Sequence, residues 1–452
     1  MATLKVTNIR NESFAGDQLY LKTDGKIGIG NTSPDFIQHN YHATDNVLAL
    51  FESGDEASLI SFQDNGSDNN TSVWLGCQNN DLRFAAGGAE RSRIRADGRV
   101  SIASSLAVAG VCTAATFVPT EGQLGHRNLI INGAMQVAQR GTTGTTSGIV
   151  TVDRWYGAHS GTNEAPTQAQ HTLTSSDTGP WAKGFRKSFH ITNGNQTGGA
   201  GAGDYINIQT RLEAQDFANS GWDYASTSSY ITLSFWVKSS VAQNFYGYVR
   251  AIDGTSQSYP FETGSLSTNT WTKIIKTIPG NSNITIDNDT NHGFQVNITP
   301  YWGTNYTDSG TALNTWAAFA SATRVPVATT TWYTTNDATF EITGVQLEVG
   351  SAATPFEHRS YVEELLRCQR YYQKITGNKI VLMNDYNNST SNFWGQIDLR
   401  TTMRAAPTVT VTAHAGGGTI TNYSNPDMLS FNTSTGAAHF DNSTTIEAAS
   451  EL

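Results

Sequence analysis

The sequence has few charged residues, few cysteines and no long hydrophobic run. The three cysteines, Cys77, Cys112 and Cys368, are far apart, odd in number and without metal-ligand spacing, which argues against a disulfide framework. We expect them to be small buried side chains. No stretch is long and apolar enough to span a bilayer, and the N-terminus lacks the apolar segment of a secretory signal. These absences predict no membrane insertion, and synthesis in a cytoplasm without export.

Positive charge is scarce as well. Lys and Arg total 28 against 38 Asp and Glu, so the net charge is −10. Neither a phosphate backbone nor an acidic lipid surface attracts such a protein, which argues against nucleic acid and anionic membranes as partners. Neutral partners, or charged partners bridged by cations, are expected instead.

The residues that are plentiful favour turns and strands. Only 15% of residues are charged, 42 are glycine and 10% are aromatic, while Asn, Ser and Thr are abundant, so the sequence predicts an all-β protein with little helix. Its 452 residues are too many for one compact domain. Patterns along the chain divide it into residues 1–34, 35–120, 121–354, 355–375 and 376–452.

An internal repeat occupies the first part of the chain. Residues 19–30 align with residues 92–103, and each copy reads as strand, tight turn and strand, with the turn at Asp24-Gly25 or Asp97-Gly98. The strands between the copies are too short to build a core of their own. The following segment, 105–119, consists mostly of small side chains, is rich in alanine and is nearly uncharged. A single copy of it would bury too little surface to be ordered, whereas parallel copies could pack closely.

The range 35–120 therefore predicts an elongated, intertwined homo-oligomeric β stalk. A flexible linker is the alternative interpretation of the same residues.

Residues 121–354 carry strand patterns at the spacing of an antiparallel β-sandwich of jelly-roll type. The predicted strands are Phe189–Thr192, Tyr205–Leu212, Tyr230–Lys238, Phe245–Ile252, Trp271–Ile278, Phe294–Thr299 and Ala338–Val349.

Alternation in two of these strands predicts an aromatic platform. If residues 239–243 are a connecting loop, Trp236 lies near Tyr246, and Tyr248 and Arg250 continue the same face. Aromatic rings beside a cation suit a sugar, whose apolar face stacks on the rings while polar groups bind its hydroxyls. The alternative is that these rings pack under a loop or between subunits. A second candidate rim comprises loop aromatics: Trp181, Trp222, Tyr301, Trp302 and Tyr306.

Residues 337–374, which we call the joint, connect the sandwich to the C-terminal residues. Phe340 to Val349 alternates as a strand broken by Gly344, and Ser360 with Glu363 predicts the capping box of one connecting helix. We expect an apolar helix face at Tyr361, Val362, Leu365, Leu366, Cys368 and Tyr372. Residues 376–452 predict a small C-terminal β tip domain with strands near 379–383, 393–399, 408–413 and 428–431, and polar loops between them.

Motifs of catalysis and metal binding are weak. Asp287 begins an EF-hand-like run, but His292 and Ile298 stand where that loop needs Gly and Glu. A structural calcium ion held by a carboxylate such as that of Glu348 is an alternative that the sequence leaves open. No nucleophile elbow or zincin motif occurs, and the spacing of an acidic pair is not readable from sequence. The sequence thus predicts no cofactor and no enzyme.

Several of these segments resemble one family. Residues 24–34, 106–119, 128–140 and 340–372 are similar to trimeric tail fibres of tailed bacteriophages. The resemblance implies a homotrimer fixed to the virion by its N-terminal end, with host binding at the distal end. The general pattern of Tyr230–Lys238, Trp271–Lys273 and Gly344–Glu348 also resembles jelly-roll carbohydrate-binding modules.

The sequence therefore predicts a homotrimeric phage tail fibre that binds a host surface polysaccharide or lipopolysaccharide. Residues 1–34 would attach to other tail or baseplate proteins, and the location would be the virion tail. The candidate ligand-binding residues are Trp236, Tyr246, Tyr248, Arg250, Trp302 and Tyr306. A glycan-depolymerising tailspike and a purely structural virion connector are the alternatives.

Overall fold

The computed structural model describes residues 8–9, 19–29, 33, 37–41, 49–66, 71–108, 125–376, 381–383, 393–412, 420–433 and 443–452. It divides into two compact units, residues 1–117 and 118–452. The described residues form 28 strands and three α-helices, so the predicted all-β class is confirmed. Most of segment 105–119, with Cys112, and the predicted tip loops lie outside the described residues.

The first unit contains two sheets. The four-stranded sheet has the order β1-β2-β3-β4, formed by Asn8–Ile9, Leu19–Leu21, Ile27–Ile29 and Gln38–Asn40. The five-stranded sheet has the order β5 to β9, formed by Ala57–Ser61, Trp74–Gln78, Asp81–Ala86, Ala89–Ile94 and Val100–Ile102. Gly25 and Gly98 adopt positive φ between paired strands, which confirms both predicted hairpins.

The five-stranded sheet has one charged face and one apolar face. On the charged face, Arg93 forms an ion pair with Asp81 at 3.0 Å. The opposite face carries five side chains that are each 39% to 62% exposed: Leu82, Phe84, Ile94, Val100 and Ile102. The described residues of this unit leave the apolar face exposed, although burial is what normally stabilises such a face.

The second unit contains a sandwich of two six-stranded sheets. Its strands, β10 to β21 in chain order, are Thr143–Gly144, Tyr156–Ser160, Thr167–Thr172, Lys187–Thr192, Tyr205–Glu213, Tyr230–Ser239, Asn244–Ala251, Gln257–Ser265, Thr272–Pro279, His292–Trp302, Ala317–Ala318 and Thr339–Val349. Sheet I has the order β10-β12-β13-β21-β15-β18, and sheet II has the order β11-β14-β19-β16-β17-β20.

The sandwich core lies between these sheets. Alternate residues such as Leu233, Phe235, Val296 and Ile342 point inward and are fully buried. All seven predicted strands are confirmed with small shifts at their ends. Five of the twelve sandwich strands were not predicted: β10, β11, β12, β17 and β20. Strands β10 and β20 have only two residues each, β12 is polar apart from Ala169, and β17 carries Pro260, a residue that argues against a strand interior.

Two predictions about the joint are wrong. Gly344 does not break β21; it adopts φ +61° where the register with β15 shifts, so the strand continues through a bulge. In the connecting helix α3, Tyr361–Gln369, the side chains of Tyr361, Val362 and Leu366 are exposed. The helix instead buries Cys368 and the polar residues Glu364 and Gln369, since Glu364 accepts a hydrogen bond from the main-chain N–H of Asn132. The cap itself is confirmed by the 3.2 Å bond from Glu363 N to Ser360 Oγ.

Two further helices and two small sheets complete the second unit. The helices are α1, Ala214–Ala218, and α2, Thr331–Thr334. The strands β22 to β28 are Tyr372–Thr376, Val381–Met383, Phe393–Asp398, Thr408–Thr412, Ile420–Asn422, Met428–Thr433 and Thr445–Ala449. A separate cluster that includes Met403, Leu429 and Phe431 fills their core, and the four strands predicted in this region are confirmed.

Candidate functional site

A groove of about 490 Å³ lies on the outer face of sheet II. It forms there because alternate residues of β14 point away from the core: Ile206 and Ile208 are buried, whereas Tyr205, Asn207, Gln209 and Arg211 line the groove. Tyr248 and Arg250 extend it along β16. The strands thus supply the floor as a rigid platform.

Three aromatic residues, packed together at tilted angles, form one wall. The ring centroid of Trp302 lies 4.7 Å from that of Tyr205 and 4.9 Å from that of Tyr306. Trp302 Nε1 donates to Thr299 Oγ1 at 3.0 Å, which fixes the indole. Tyr306 and Phe319 come from the long connection 303–330. Rings held in this way offer a preformed apolar surface.

Amide side chains form a polar floor beside this wall. Gln295 Nε2 donates to Gln209 Oε1, and Asn207 Nδ2 donates to Asn297 Oδ1 at 3.1 Å. Thr299 Oγ1 donates to Asn207 Oδ1 at 3.0 Å. Because these amides orient one another, their remaining hydrogen-bonding capacity is directed at the groove.

Three guanidinium groups complete the lining. The Arg250 guanidinium carbon lies 3.6 Å from the ring centroid of Phe319, and that of Arg324 lies 4.4 Å from that of Trp302. Arg211 lies 5.7 Å from the ring of Tyr156. Cation–π contacts of this kind hold the guanidinium planes while their N–H groups stay available.

Burial and this positive charge shift the pKa values of neighbouring groups. Burial raises the pKa of Tyr248, against the opposing effect of the arginines around it. Burial together with the charges of Arg211 and Arg250 lowers the pKa of His292 to about 3. His292 is therefore a neutral imidazole at physiological pH.

The low pKa of His292 predicts a loss of stability in acid. Between about pH 6.5 and pH 3 the unfolded chain binds a proton at this residue and the folded chain does not, so stability falls as pH falls. The slope from this group is at most about 1.4 kcal/mol per pH unit. We expect His292→Gln to flatten the urea-unfolding free energy against pH over this range. An unchanged slope in the variant would contradict the assignment.

The six candidate residues separate into three positions. Tyr248, Arg250, Trp302 and Tyr306 come together in the groove, which unites the two predicted aromatic sites. Tyr246 packs against the cluster of Tyr248 and Trp302 but does not line the groove. The predicted pairing of Trp236 with Tyr246 is wrong, because β15 belongs to sheet I and β16 to sheet II.

Trp236 lines a second, more apolar pocket of about 400 Å³ on the outer face of sheet I. Lys273, Phe356 and His358 are among its other lining residues. The remaining loop aromatics do not form a rim: Trp222 and Tyr301 are core residues, and Trp181 packs beside Trp236.

Sequence reasoning missed several groove residues. The alternation in β14 would have revealed Tyr205, Asn207, Gln209 and Arg211 as one outward row. Arg324 and Phe319 had no such signal, because they lie in an irregular connection whose path is set by tertiary packing.

A buried charged cluster lies on sheet I. The carboxylate of Glu341 accepts hydrogen bonds from His171 Nδ1 at 3.0 Å and Ser188 Oγ at 2.7 Å, and pairs with Lys238 Nζ at 2.9 Å. Candidate metal-ligand atoms of Glu341, His171 and His190 lie within 4.8 Å of one another. The Lys238 ammonium already supplies the cation that this carboxylate needs, so we interpret the cluster as a structural network.

Three other predictions concern cofactors, cysteines and membranes. Glu348 accepts hydrogen bonds from Thr354 N and Gln346 Nε2, so its carboxylate is engaged by the protein, and the calcium alternative stays a prediction. Cys368 is buried as expected, but Cys77 is exposed, contrary to expectation. Among the described residues, no helix is long and apolar enough to cross a membrane.

No family model and no curated protein matches the sequence. Similar solved structures include the enzymatically active domain of tailspike protein 4 of bacteriophage CBA120, which is 12% identical, with a TM-score of 0.27. That match covers 49% of this chain and only 21% of the tailspike chain. The N-terminal cellulose-binding domain of Cellulomonas fimi β-1,4-glucanase C is 10% identical over 48% of this chain and 99% of its own, with a TM-score of 0.24.

The tandem CBM22-1–CBM22-2 domain of Paenibacillus barcinonensis Xyn10C is 10% identical over 75% of this chain and 92% of its own, with a TM-score of 0.24. Likenesses at this level assign no function. The sandwich is established by its own sheets, and the function is argued from the groove.

Proposed function

We propose that the protein is a homotrimeric bacteriophage tail-fibre adhesin whose groove on sheet II binds a glycan of the host bacterial surface. The observation that carries the proposal is the preformed groove, in which closely packed aromatic rings stand beside oriented amides and guanidinium groups. This combination matches the two chemical sides of a sugar: the C–H face packs on rings, and the hydroxyls bind amides.

Avidity supplies the strength of attachment. A shallow groove gives a modest affinity, but three grooves on one fibre and several fibres on one virion make later contacts effectively intramolecular. The fibre would be made in the host cytoplasm and reside in the virion tail, with its N-terminal end attached to other tail or baseplate proteins.

The uncovered apolar face in the first unit supports the homotrimer. Side chains such as Ile94 and Val100 face each other across neighbouring strands and remain exposed within one subunit. Identical copies would cover this face by the same residues, which is how symmetric oligomers bury a shared patch.

Binding without catalysis is the form we propose. The described residues that line the groove include no Asp or Glu, whereas glycoside hydrolysis normally needs a carboxylate pair. Incubation with host capsule or lipopolysaccharide tests this point. New reducing ends or unsaturated sugars would favour a tailspike depolymerase, and a protein that joins the tail but stains no host cell would favour a structural connector.

The groove is tested by comparing the substitution of one ring in the groove with the substitution of one ring on sheet I. Tyr306→Ala removes one ring of the aromatic wall, and we expect it to weaken binding to a glycan-array hit about threefold to tenfold, since one aromatic contact accounts for ~0.5–1.5 kcal/mol. Trp236→Ala on sheet I is the matched control and should leave binding unchanged. The opposite ranking, with unfolding temperatures preserved, would move the site to the pocket around Trp236.

A further inference from the structure

The arginines of the groove differ from most other arginines of the second unit in their partners. Arg140, Arg154, Arg359, Arg367 and Arg370 all form ion pairs with carboxylates. In the described part of the chain, Arg211, Arg250 and Arg324 form no such pair. The positive charges of Arg250 and Arg324 therefore stand without an anionic partner on one face of a protein whose net charge is −10.

The hydrogen bonds of Arg250 and Arg324 go to neutral groups. Arg250 Nε donates to Ser256 Oγ at 2.7 Å, and Arg324 Nη2 donates to Ser321 Oγ at 2.8 Å. Arg211 differs, because its Nη1 donates at 2.6 Å to the main-chain oxygen of Leu452, the last residue of the sequence. The serine hydroxyls and the rings beneath the guanidinium groups fix Arg250 and Arg324 without neutralising them. A side chain held in place loses little entropy when it binds a ligand.

Two donors around the groove also lack partners. The Nε atoms of Arg211 and Arg324 are buried, and neither finds a hydrogen-bond acceptor among the described residues. Buried polar atoms are normally paired, so an arrangement of unpaired donors suits a ligand that brings acceptors.

The positive charges also act on one another. Burial lowers the pKa of Arg250, and the charges of Arg324 and Arg211 lower it further. An anionic group placed between them would relieve this repulsion and gain charge-assisted hydrogen bonds.

We infer that the groove selects an acidic glycan, with Arg250 and Arg324 binding its carboxylate or phosphate while the aromatic wall takes the sugar ring. This inference rests on the proposed function and adds the chemical class of the ligand. A guanidinium group matches the two oxygens of a carboxylate or phosphate in a bidentate manner. A neutral glycan would leave Arg250 and Arg324 without an anionic counterpart.

A single-stranded nucleic acid also combines rings and negative charge, but the observations favour a glycan. Nucleic-acid binding needs positive charge along a whole strand, and the rest of this acidic protein repels a dense polyanion. A few charges spaced by neutral sugars suit three clustered arginines better.

The test starts from an array of neutral, uronate-bearing, sialylated and phosphate-bearing bacterial glycans, probed with the full chain. Each hit is then compared with its carboxyl-reduced or dephosphorylated form by calorimetry. We expect acidic hits, and roughly tenfold or greater weakening when the acid group is removed. We also expect affinity for the acidic form to fall with added salt and affinity for the neutral form to stay level.

The double variant Arg250→Gln with Arg324→Gln should lose the preference for the acidic form. Arg186→Gln is the matched control, because Arg186 also lies over a ring, that of Trp181 at 3.8 Å, but outside the groove. If the double variant fails to fold, the salt dependence of the unmodified protein decides.

Equal binding of acidic and neutral forms would overturn the inference and leave glycan binding intact. Tighter binding of single-stranded DNA than of any glycan would also overturn it. No glycan hit at all would remove the proposed function and the inference together.

Discussion

In light scattering, the full chain is expected to have three times the monomer mass of 48.8 kDa, and Ile94→Asp is expected to reduce it to a single subunit. Ile94 lies between Leu82 and Val100 on the uncovered face of the five-stranded sheet. An aspartate there would bury three charges at the proposed contact between copies, and burying unpaired charges opposes association strongly.

Ser101→Asp provides the control for this substitution. Ser101 lies on the same short strand as Val100 but pairs with Arg93 on the charged face, where a carboxylate is tolerated. This variant should stay trimeric. A native protein that scatters as a monomer would contradict the trimer, and a trimer unaffected by Ile94→Asp would contradict the contact surface.

Removal of the Glu341 side chain as Glu341→Ala is expected to destabilise the second unit by ~3–5 kcal/mol, the usual cost of breaking a buried ion pair. Glu341 is 3% exposed and is held by Lys238 and His171. Without it, Lys238 retains only Asp177 as an anionic partner. Urea unfolding measures the loss, and Glu447→Ala, which removes a half-exposed partner of Lys374, should cost about 1 kcal/mol or less.

The pH dependence of this loss follows from two pKa shifts. The hydrogen bond from His171 and the nearby side chains of His190 and Lys238 hold the pKa of Glu341 far below its usual range despite burial. Its contribution is therefore complete above about pH 4.3 and fades as pH falls further. The hydrogen bond to Glu341 raises the pKa of His171, so that contribution is complete below about pH 6.5 and fades as pH rises.

The difference between native protein and Glu341→Ala should thus be greatest between these two values. A difference that grows steadily toward alkaline pH would show that the cluster acts in another way.

Periodicity in the sequence predicted the strands well, because alternate apolar residues such as Ile231, Leu233 and Phe235 can be buried in only one way. It failed on the relation between strands. The turn after β15, closed by hydrogen bonds between Ser239 Oγ and the main chain of Val241, carries the chain to the opposite sheet. Trp236 and Tyr246 are close in sequence and yet lie on different sheets.

The prediction of the helix face failed for a similar reason. The apolar stripe Tyr361, Val362 and Leu366 predicted the buried face, but Glu364 takes that place because main-chain donors around Asn132 need an acceptor. Net charge predicts neutral partners, or charged partners bridged by cations, and it averages over the whole surface. The groove brings together three arginines from β14, β16 and an irregular connection, and no local sequence pattern predicts that they lie close to one another.

Amide hydrogen exchange, measured with and without a glycan identified on the array, tests most directly whether the groove on sheet II is the binding site. If the groove binds the glycan, exchange in the complex is slower in β14, β16 and β19 and in the connection around Tyr306 and Arg324. Protection confined to residues around Trp236 and Phe356 on the other sheet, with sheet II unchanged, would contradict it.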